Sequence, residues 1–197
     1  MKRDLCTRCK RPFSACYCHL INRLGNFWPV LILQHAVEAR HALGTARIAA
    51  LGLENCLLTT VPVNDPTRQT VEQLLSCAPV LIYPGSQAMP ITDLLGSSPR
   101  PLLFIDATWR KSRRLLLESP ELAKLPRYAL RELPASRYRI RKSTQVNAVS
   151  TLEAIVHTLE LLETVPGKYT SLLTAMDWMI AQQISHIGAT RLENNYG

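Results

Sequence analysis

The stretch Pro101-Leu102-Leu103-Phe104-Ile105-Asp106-Ala107-Thr108-Trp109 decides the fold. It opens with a short apolar run, which is typical of a buried strand. A carboxylate, a hydroxyl and an indole follow where that strand ends, at Asp106, Thr108 and Trp109. Open α/β sheets bind their ligands beyond the carboxyl ends of the strands. We therefore predict that Asp106 faces a ligand-binding cleft.

Two hypotheses fit the position of Asp106. Asp and Thr at the start of a helix cap free backbone amides, and such a role has no catalytic meaning. A carboxylate at the end of a strand can instead accept a proton or hold a cationic ligand. Because Thr108 can provide the cap, the two roles can be divided between the two residues.

The rest of the chain alternates between strand and helix patterns. Apolar runs predict strands over 28–35, 55–63 and 80–83, and helices are predicted over 40–51 and 67–76. Such alternation is typical of an α/β fold with a mainly parallel sheet. Two more helices close the chain: one opens with the capping-box pattern Ser150-x-x-Glu153, and one spans 170–187.

Four of the six cysteines lie before residue 19, at Cys6, Cys9, Cys16 and Cys18. In an intracellular protein this pattern favours a structural Zn²⁺ site, because thiolates bind zinc tetrahedrally without oxidation. Unligated thiols are the alternative, and His19 is a second candidate for the fourth ligand. The chain is predicted to divide into a zinc-binding knuckle over 1–25 and a main domain over 26–197. Cys56 and Cys77 are interpreted as buried apolar side chains.

Positive charge is concentrated in one part of the chain. The net charge is +8, and residues 100–142 carry all of this excess. A block of one sign predicts a polyanionic partner, nucleic acid first. Within it, residues 136–141 alternate with period two, which predicts a strand or extended arm with arginines on one face.

Several function classes lack their signals. The sequence holds no P-loop, no Gly-x-Gly-x-x-Gly fingerprint and no Gly-x-Ser-x-Gly elbow. It also shows no secretory signal and no apolar run of the roughly 18 residues that span a bilayer. We therefore expect a cytoplasmic protein that does not engage membranes and needs no obligate protein partner.

The ordered set of motifs resembles the DTW-domain family, whose Asp-x-Thr-Trp signature is matched by Asp106, Thr108 and Trp109. The other matching segments are the four amino-terminal cysteines, Gln34-His35 with Glu38 and Thr45, Tyr83-Pro84-Gly85, the basic run from Arg110 to Arg114, and Ser150-Thr151-Leu152-Glu153-Ala154. Each motif alone is short, and Tyr83-Pro84-Gly85 by itself is equally well read as a plain turn. Together the motifs cover most of the chain in order.

The resemblance implies both a fold and an activity. The fold is a SPOUT-like α/β domain with a C-terminal trefoil knot. Bacterial members of the family resemble tRNA-uridine aminocarboxypropyltransferases. These enzymes move the 3-amino-3-carboxypropyl group of S-adenosylmethionine to N3 of a uridine, usually at position 47 of the variable loop, and release methylthioadenosine.

The resemblance also assigns roles to residues. Asp106 is the candidate catalytic residue, either as the base that removes the N3 proton or as a group that orients the uracil or the donor's amine. The expected donor-binding residues are Tyr83, Pro84, Gly85, Thr108, Trp109, Ser150, Thr151 and Glu153. The expected tRNA-binding residues are Gln34, His35, Arg110, Lys111, Arg113, Arg114, Arg137, Arg139, Arg141 and Lys142. The knuckle is either a structural clip or part of the RNA platform.

Two other functions remain as alternatives at this point. A SPOUT-like RNA methyltransferase would use the same donor but transfer its methyl group. A zinc-containing RNA-binding module would have no catalytic activity.

Overall fold

The protein is a mixed α/β structure around one parallel sheet. A computed structural model describes residues 4–41, 43–61, 68–138 and 148–187, with the backbone alone for 68–70 and 187. Within this part of the chain six strands pair in the order β2-β1-β5-β3-β6-β4, and every pairing is parallel. The strands are β1 (Val30–His35), β2 (Cys56–Val61), β3 (Val80–Ile82), β4 (Met89–Pro90), β5 (Leu102–Asp106) and β6 (Arg127–Ala129). The helices are α1 (Ala36–Ala39), α2 (Ala46–Gly52), α3 (Arg68–Leu75), α4 (Trp109–Glu118), α5 (Pro120–Ala123), α6 (Thr151–Leu162) and α7 (Thr170–Ile187).

The two central strands, β1 and β5, fix the position of the candidate site. Their side chains alternate between the two faces of the sheet, as they do along any strand. In the register of this pair Gln34 lies opposite Asp106, so both side chains lie at the carboxyl edge. The predicted strand and the exit of Asp106 from it are confirmed.

Both faces of the sheet are covered, which explains why its strands read as continuous apolar runs. Ile32, Leu102 and Phe104 pack on one face with residues of α2, α6 and α7. Leu33 and Leu103 pack on the other face with residues of α3, α4 and α5. The predicted α/β class and the parallel sheet are therefore confirmed.

Three local predictions need correction. The helix predicted over 40–51 begins late: only its carboxyl-terminal part is helical, as α2 (Ala46–Gly52), and the described residues from Arg40 to Thr45 connect it to α1, which ends at Ala39. Cys77 is exposed rather than buried, because it follows the end of α3 in a turn, whereas Cys56 is half-buried against the core. Ser136 to Tyr138 form no strand in the described chain, and the remainder of the predicted arginine arm lies outside the described residues.

The cysteine-rich segment packs against the main body. It contains two short 3-10 helices, Phe13–Ala15 and Cys18–Leu20. Tyr17 and Ile21 are buried in the same apolar cluster as α6 and α7. His19 sits edge-on to the ring of Trp178 in α7, with 5.4 Å between the ring centroids. The segment therefore shares a core with the rest of the molecule. Among the described helices, none has both the length and the apolar character that crossing a bilayer requires.

Candidate functional site

Asp106 is held by two side chains that come from distant parts of the chain. Gln34 Nε2 donates a 2.8 Å hydrogen bond to Asp106 Oδ2 from the neighbouring strand β1. Thr151 Oγ1 donates a 2.6 Å hydrogen bond to Asp106 Oδ1 from the first turn of α6. Hydrogen bonds donated to a carboxylate stabilise its charged form and fix its orientation. Asp106 is thus an oriented, buried acceptor at the edge of the sheet.

Gln34 carries a buried atom without a partner. Its side chain is 3% exposed, and Oε1 accepts no hydrogen bond within the described structure. Leaving such an acceptor unpaired in a core costs about 1–3 kcal/mol. The amide is therefore committed to Asp106 through its NH₂ group, while its carbonyl remains unsatisfied.

The segment after Asp106 builds one wall of a cavity. Thr108 caps α4, since its Oγ1 accepts from the Lys111 backbone N–H at 3.4 Å, as predicted. The ring of Trp109 meets Tyr83 edge-on at 5.7 Å between centroids, and both residues line the cavity. Tyr83 is pinned in turn by a 2.8 Å hydrogen bond between its hydroxyl and Ser112 Oγ.

The start of α6 forms the opposite wall. Ser150 caps this helix in the predicted capping box: its Oγ accepts from the Glu153 N–H, and Glu153 Oε2 accepts from the Ser150 N–H. Glu153 is 1% exposed and also accepts from the Ser136 hydroxyl and the Arg137 N–H. The carboxylate of Glu153 therefore ties residues 136–137 to the helix.

Asp106 opens onto a cavity of about 820 Å³. That volume lies within the range typical of ligand pockets. The predicted site residues that line it are Tyr83, Pro84, Asp106, Thr108, Trp109, Arg110, Ser150 and Thr151. Apolar side chains such as Phe104 and Leu133 form much of the remaining wall. The structure thus brings three separate sequence motifs together around one cavity.

Four other predicted residues lie close to this cavity without lining it. Gln34 and Glu153 lie beneath its wall with the partners described above. Gly85 follows the wall residue Pro84 and is exposed beside the Arg127 guanidinium. His35 caps α1 through Nδ1, which accepts from the Val37 N–H at 3.2 Å. Partial burial, together with the charge of nearby Lys111, lowers the pKa of His35.

The predicted tRNA-binding residues are not all in the same situation. Arg110, Arg113 and Arg114 are exposed on α4, and Arg114 pairs with Glu118 at 2.6 Å. Lys111 Nζ instead points to Glu38 Oε1 at 3.0 Å, where Glu38 is buried. Arg137 forms an ion pair with Asp177 of α7. Arg139, Arg141 and Lys142 lie outside the described residues.

Some wall residues were not singled out from the sequence. Ser136, Tyr138 and Leu43 all line the cavity. The Tyr138 hydroxyl donates to the Leu43 carbonyl at 3.0 Å, which joins segments 95 positions apart. The alternating pattern of 136–141 placed Tyr138 opposite the arginines, and this was the one signal that it faces inward.

The four amino-terminal thiols converge on one point. All four Sγ atoms lie within 4.8 Å of one another, with Cys6 to Cys18 at 3.8 Å and Cys9 to Cys16 at 3.7 Å. A tetrahedral site with Zn–S bonds of about 2.3 Å separates its sulfurs by about 3.8 Å, whereas a disulfide bond is about 2.05 Å long. The cluster contains Cys18, and His19 is not part of it. The four cysteines therefore fit a tetrahedral metal ion.

The surroundings of the thiols also suit a bound cation. Hydrogen bonds from the Cys9 and Arg8 backbone lower the pKa of Cys6 to about 6. Burial raises the pKa of Cys18 to about 12. A divalent ion offsets such burial because its charge stabilises the thiolates that bind it.

Comparison with known proteins places the chain in a family. A model described as "DTW domain" matches residues 3–184, so the chain belongs to the DTW domain family. A Drosophila melanogaster protein named "tRNA-uridine aminocarboxypropyltransferase 2" is 29% identical over 196 residues, which cover 94% of this chain and 77% of that protein. The Arabidopsis thaliana "tRNA-uridine aminocarboxypropyltransferase A" is 28% identical over 168 residues, covering 75% of this chain and 60% of that protein. No solved structure matches the chain.

Proposed function

We propose that this protein transfers the 3-amino-3-carboxypropyl group of S-adenosylmethionine to N3 of a tRNA uridine, at position 47 of the variable loop. A bond forms between N3 and the terminal carbon of the amino-acid arm, and the bond from that carbon to sulfur breaks. The sulfur keeps the electron pair and leaves as methylthioadenosine, and N3 loses its proton. The main support is the Asp106 carboxylate, which two hydrogen bonds orient toward a large cavity. The relatives of the chain that are named above carry the name of this enzyme.

The cavity suits a cationic donor. S-adenosylmethionine brings a sulfonium and an ammonium group, which a carboxylate and aromatic faces attract. Asp106, Tyr83 and Trp109 supply these groups on one side of the cavity. Pro84, Thr108, Ser150 and Thr151 complete the proposed donor site, with Gly85 and Glu153 holding its two walls in place.

Asp106 is proposed to orient the reactants. Its two hydrogen bonds stabilise the carboxylate anion, and an anion of this kind binds the donor's ammonium well. The same bonds weaken it as a base, so proton removal from N3 is the less favoured of its two candidate roles. Transfer requires the attacking nitrogen to lie in line with the carbon–sulfur bond, and a fixed carboxylate supports that alignment.

The nucleic-acid partner follows from charge. The proposed tRNA contacts are the exposed arginines of α4 together with His35, Lys111, Arg137, Arg139, Arg141 and Lys142, whereas Gln34 is buried beneath the cavity wall and holds Asp106. Phosphate contacts of this kind make affinity fall with salt. A loop nucleotide is an accessible target, because its base need not be taken out of a paired stack.

The proposed fold is SPOUT-like with a C-terminal trefoil knot. Its support is the parallel sheet with crossover connections and the return of α6 to the end of the central strand β5. Part of the path between β6 and α6, residues 139–147, lies outside the described residues. Zn²⁺ is the proposed ion of the cysteine cluster, 1–25 and 26–197 are the proposed domains, and the cytoplasm is the proposed location.

The test uses a donor labelled at one of two positions. The full chain is incubated with tRNA and S-adenosylmethionine that carries label either on the methyl group or on the carboxypropyl carbons. Label entering the RNA only from the carboxypropyl arm is the expected result, and a transcript with cytidine at position 47 stays unlabelled. Label from the methyl group would establish a methyltransferase, and label from neither would establish a non-catalytic RNA-binding protein.

A further inference from the structure

We infer that a second, smaller cleft, between the cysteine cluster and helices α1 and α2, binds a phosphate of the tRNA backbone. The inference rests on the proposed function, because it assumes an RNA substrate whose target base enters the large cavity. It assigns Lys10, Arg40 and Arg47 to a site that none of the motifs quoted above includes.

The cleft is small, and all of its charged residues are basic. Its volume is about 230 Å³, and it is lined by Cys9, Lys10, Arg11, Tyr17, Ala39, Arg40, His41, Gly44 and Arg47. Four of these residues are lysine or arginine, and none is acidic. A concave surface with basic walls concentrates the electrostatic field and attracts anions.

Three of the cations have no acidic partner in the cleft. Lys10, Arg40 and Arg47 form no ion pair with any residue that the structure describes. Arg11 is instead fixed as part of the wall: its Nε donates to the Ala15 carbonyl at 3.1 Å, and its guanidinium lies 5.9 Å from the centre of the Tyr17 ring. The remaining three are therefore available to an external anion.

The negative charge of the metal site does not by itself neutralise the basic residues of the cleft. Zn²⁺ bound by four thiolates carries a net charge of about −2. The cleft holds four cations, one of which, Arg11, is braced beside the cluster. A positive excess of about two charges remains after the cluster is counted, which suits one phosphate with its neighbour along a strand.

The backbone of Lys10 gives an independent reason. Its φ is 61°, in the left-handed region, where its N–H donates to the Cys6 carbonyl at 2.9 Å. A residue other than glycine in this conformation costs about 1 kcal/mol. Glycine would satisfy the same turn without that cost. Lys10 occupies this position and lines the cleft, so a positively charged residue stands where glycine would be the less strained choice.

The cleft adjoins the large cavity. His41 and Gly44 line both of them. An RNA strand whose base occupies the cavity therefore has flanking backbone beside the cleft. The cysteine cluster would then position one wall of an RNA site, in addition to holding the amino-terminal segment together.

The experiment compares two exposed arginines. Arg40 lies in the cleft, whereas Arg100 precedes β5 at the opposite edge of the sheet from Asp106. Arg40→Gln and Arg100→Gln remove the same charge. We expect Arg40→Gln to weaken tRNA binding about five-fold at 0.15 M salt and to reduce the slope of log K against log salt by about 0.9. Arg100→Gln leaves both values unchanged.

A double variant distinguishes a loss of RNA binding from a loss of folding. Lys10→Gly removes the second charge and relieves the left-handed backbone, so its Tm and metal content stay at or above those of the wild type. Arg40→Gln combined with Lys10→Gly should reduce the slope of log K against log salt by about 1.8.

Two results would overturn the inference. One is that Arg40→Gln and the double variant bind tRNA with the affinity and salt slope of Arg100→Gln. The other is that they lose affinity for polyglutamate and keep it for tRNA, which would identify an acidic polypeptide as the occupant. Both readouts are binding measurements, so they remain decisive even if the labelled-donor assay shows no transfer and the proposed function fails.

Discussion

The cysteine cluster and the Asp106 site differ in how much of the chain builds them. The first and last cysteines of the cluster, Cys6 and Cys18, are only 12 positions apart in the sequence. Asp106 is held by Gln34, 72 positions away, and by Thr151, 45 positions away. The cluster is therefore a local structure that a metal can tie together, whereas the site exists only when the sheet and α6 are assembled.

This difference predicts different responses to damage. A metal cluster stabilises the fold through the binding of one ion, so the loss of one ligand removes most of that stabilising free energy at once. The Asp106 site is instead held by hydrogen bonds from separate elements. Removing one of these hydrogen bonds should therefore lower the stability of the protein only slightly but reduce the rate of transfer more strongly. Four variants test whether the two regions behave in these ways.

The largest expected effect is on catalysis. Asp106→Ala should lower transfer at saturating tRNA and donor by at least about 100-fold, because no other acidic side chain among the described residues makes these contacts to Gln34 and Thr151. Gln34 loses its acceptor, which costs about 1–3 kcal/mol, so the fold persists with a modestly lower Tm. Single-turnover transfer and thermal melting measure both effects. Transfer close to the wild-type rate would exclude Asp106 from the mechanism.

The second effect is on stability. Cys6→Ser should release the metal and lower Tm by at least about 10 °C, because a structural Zn²⁺ site contributes on the order of 10 kcal/mol and each kcal/mol lost lowers Tm by roughly 2–4 °C in a chain of this size. Elemental analysis and melting curves measure this, with Cys77→Ser as the control, since Cys77 is exposed and outside the cluster. A folded wild-type protein that contains no metal would contradict the prediction.

The third effect is smaller and concerns the orientation of Asp106. Thr151→Val keeps the volume of the side chain but removes the donor to Oδ1, so transfer should fall about ten-fold, equivalent to about 1.4 kcal/mol, at unchanged tRNA affinity. Thr158→Val is the matched control in the same helix, because the buried Thr158 hydroxyl has no partner within the described structure. Equal transfer by the two variants would mean that the hydrogen bond is dispensable.

The smallest effect is a pH dependence. The pKa of His35 is lowered in the folded protein, so below about pH 6.5 the unfolded chain binds the proton more readily and stability falls with decreasing pH. His35→Asn keeps an accepting atom at the cap but does not titrate there. The fall in Tm between pH 7 and pH 5 should therefore be about 2 °C smaller in this variant. An identical fall in both proteins would show that the cap does not depend on His35 protonation.

The elements of the fold were predictable where one local pattern dominated. The apolar run before Asp106, the cap at Thr108 and the capping box at Ser150 are each written within a few residues, and each is confirmed. Prediction failed where a contact elsewhere decides the outcome. The span 40–51 has helical periodicity, yet its helix begins only at Ala46, and in the connection before it the Leu43 carbonyl accepts from distant Tyr138.

The candidate site divides in the same way. Asp106 could be identified by its place at a strand end, and the loops around it by their motifs. No signal in the sequence indicated that Gln34 would donate a hydrogen bond to Asp106. Nor did any signal indicate that Glu153 would bind the segment at Ser136 beneath the cavity wall. The basic cleft was hidden as well, because its four cations come from Lys10 to Arg47, outside the segment in which positive charge is in excess.

The sequence alone determined the alternation of strands and helices, the cysteine spacing and the acid at the end of β5. These are short-range properties, since periodicity, capping and metal-ligand spacing operate within one or two turns of chain. Tertiary structure alone decided which side chains orient Asp106 and which cations share a cleft. Strand register and crossover order bring those residues together, and a shift of one residue would turn Gln34 away from Asp106 to the other face of the sheet.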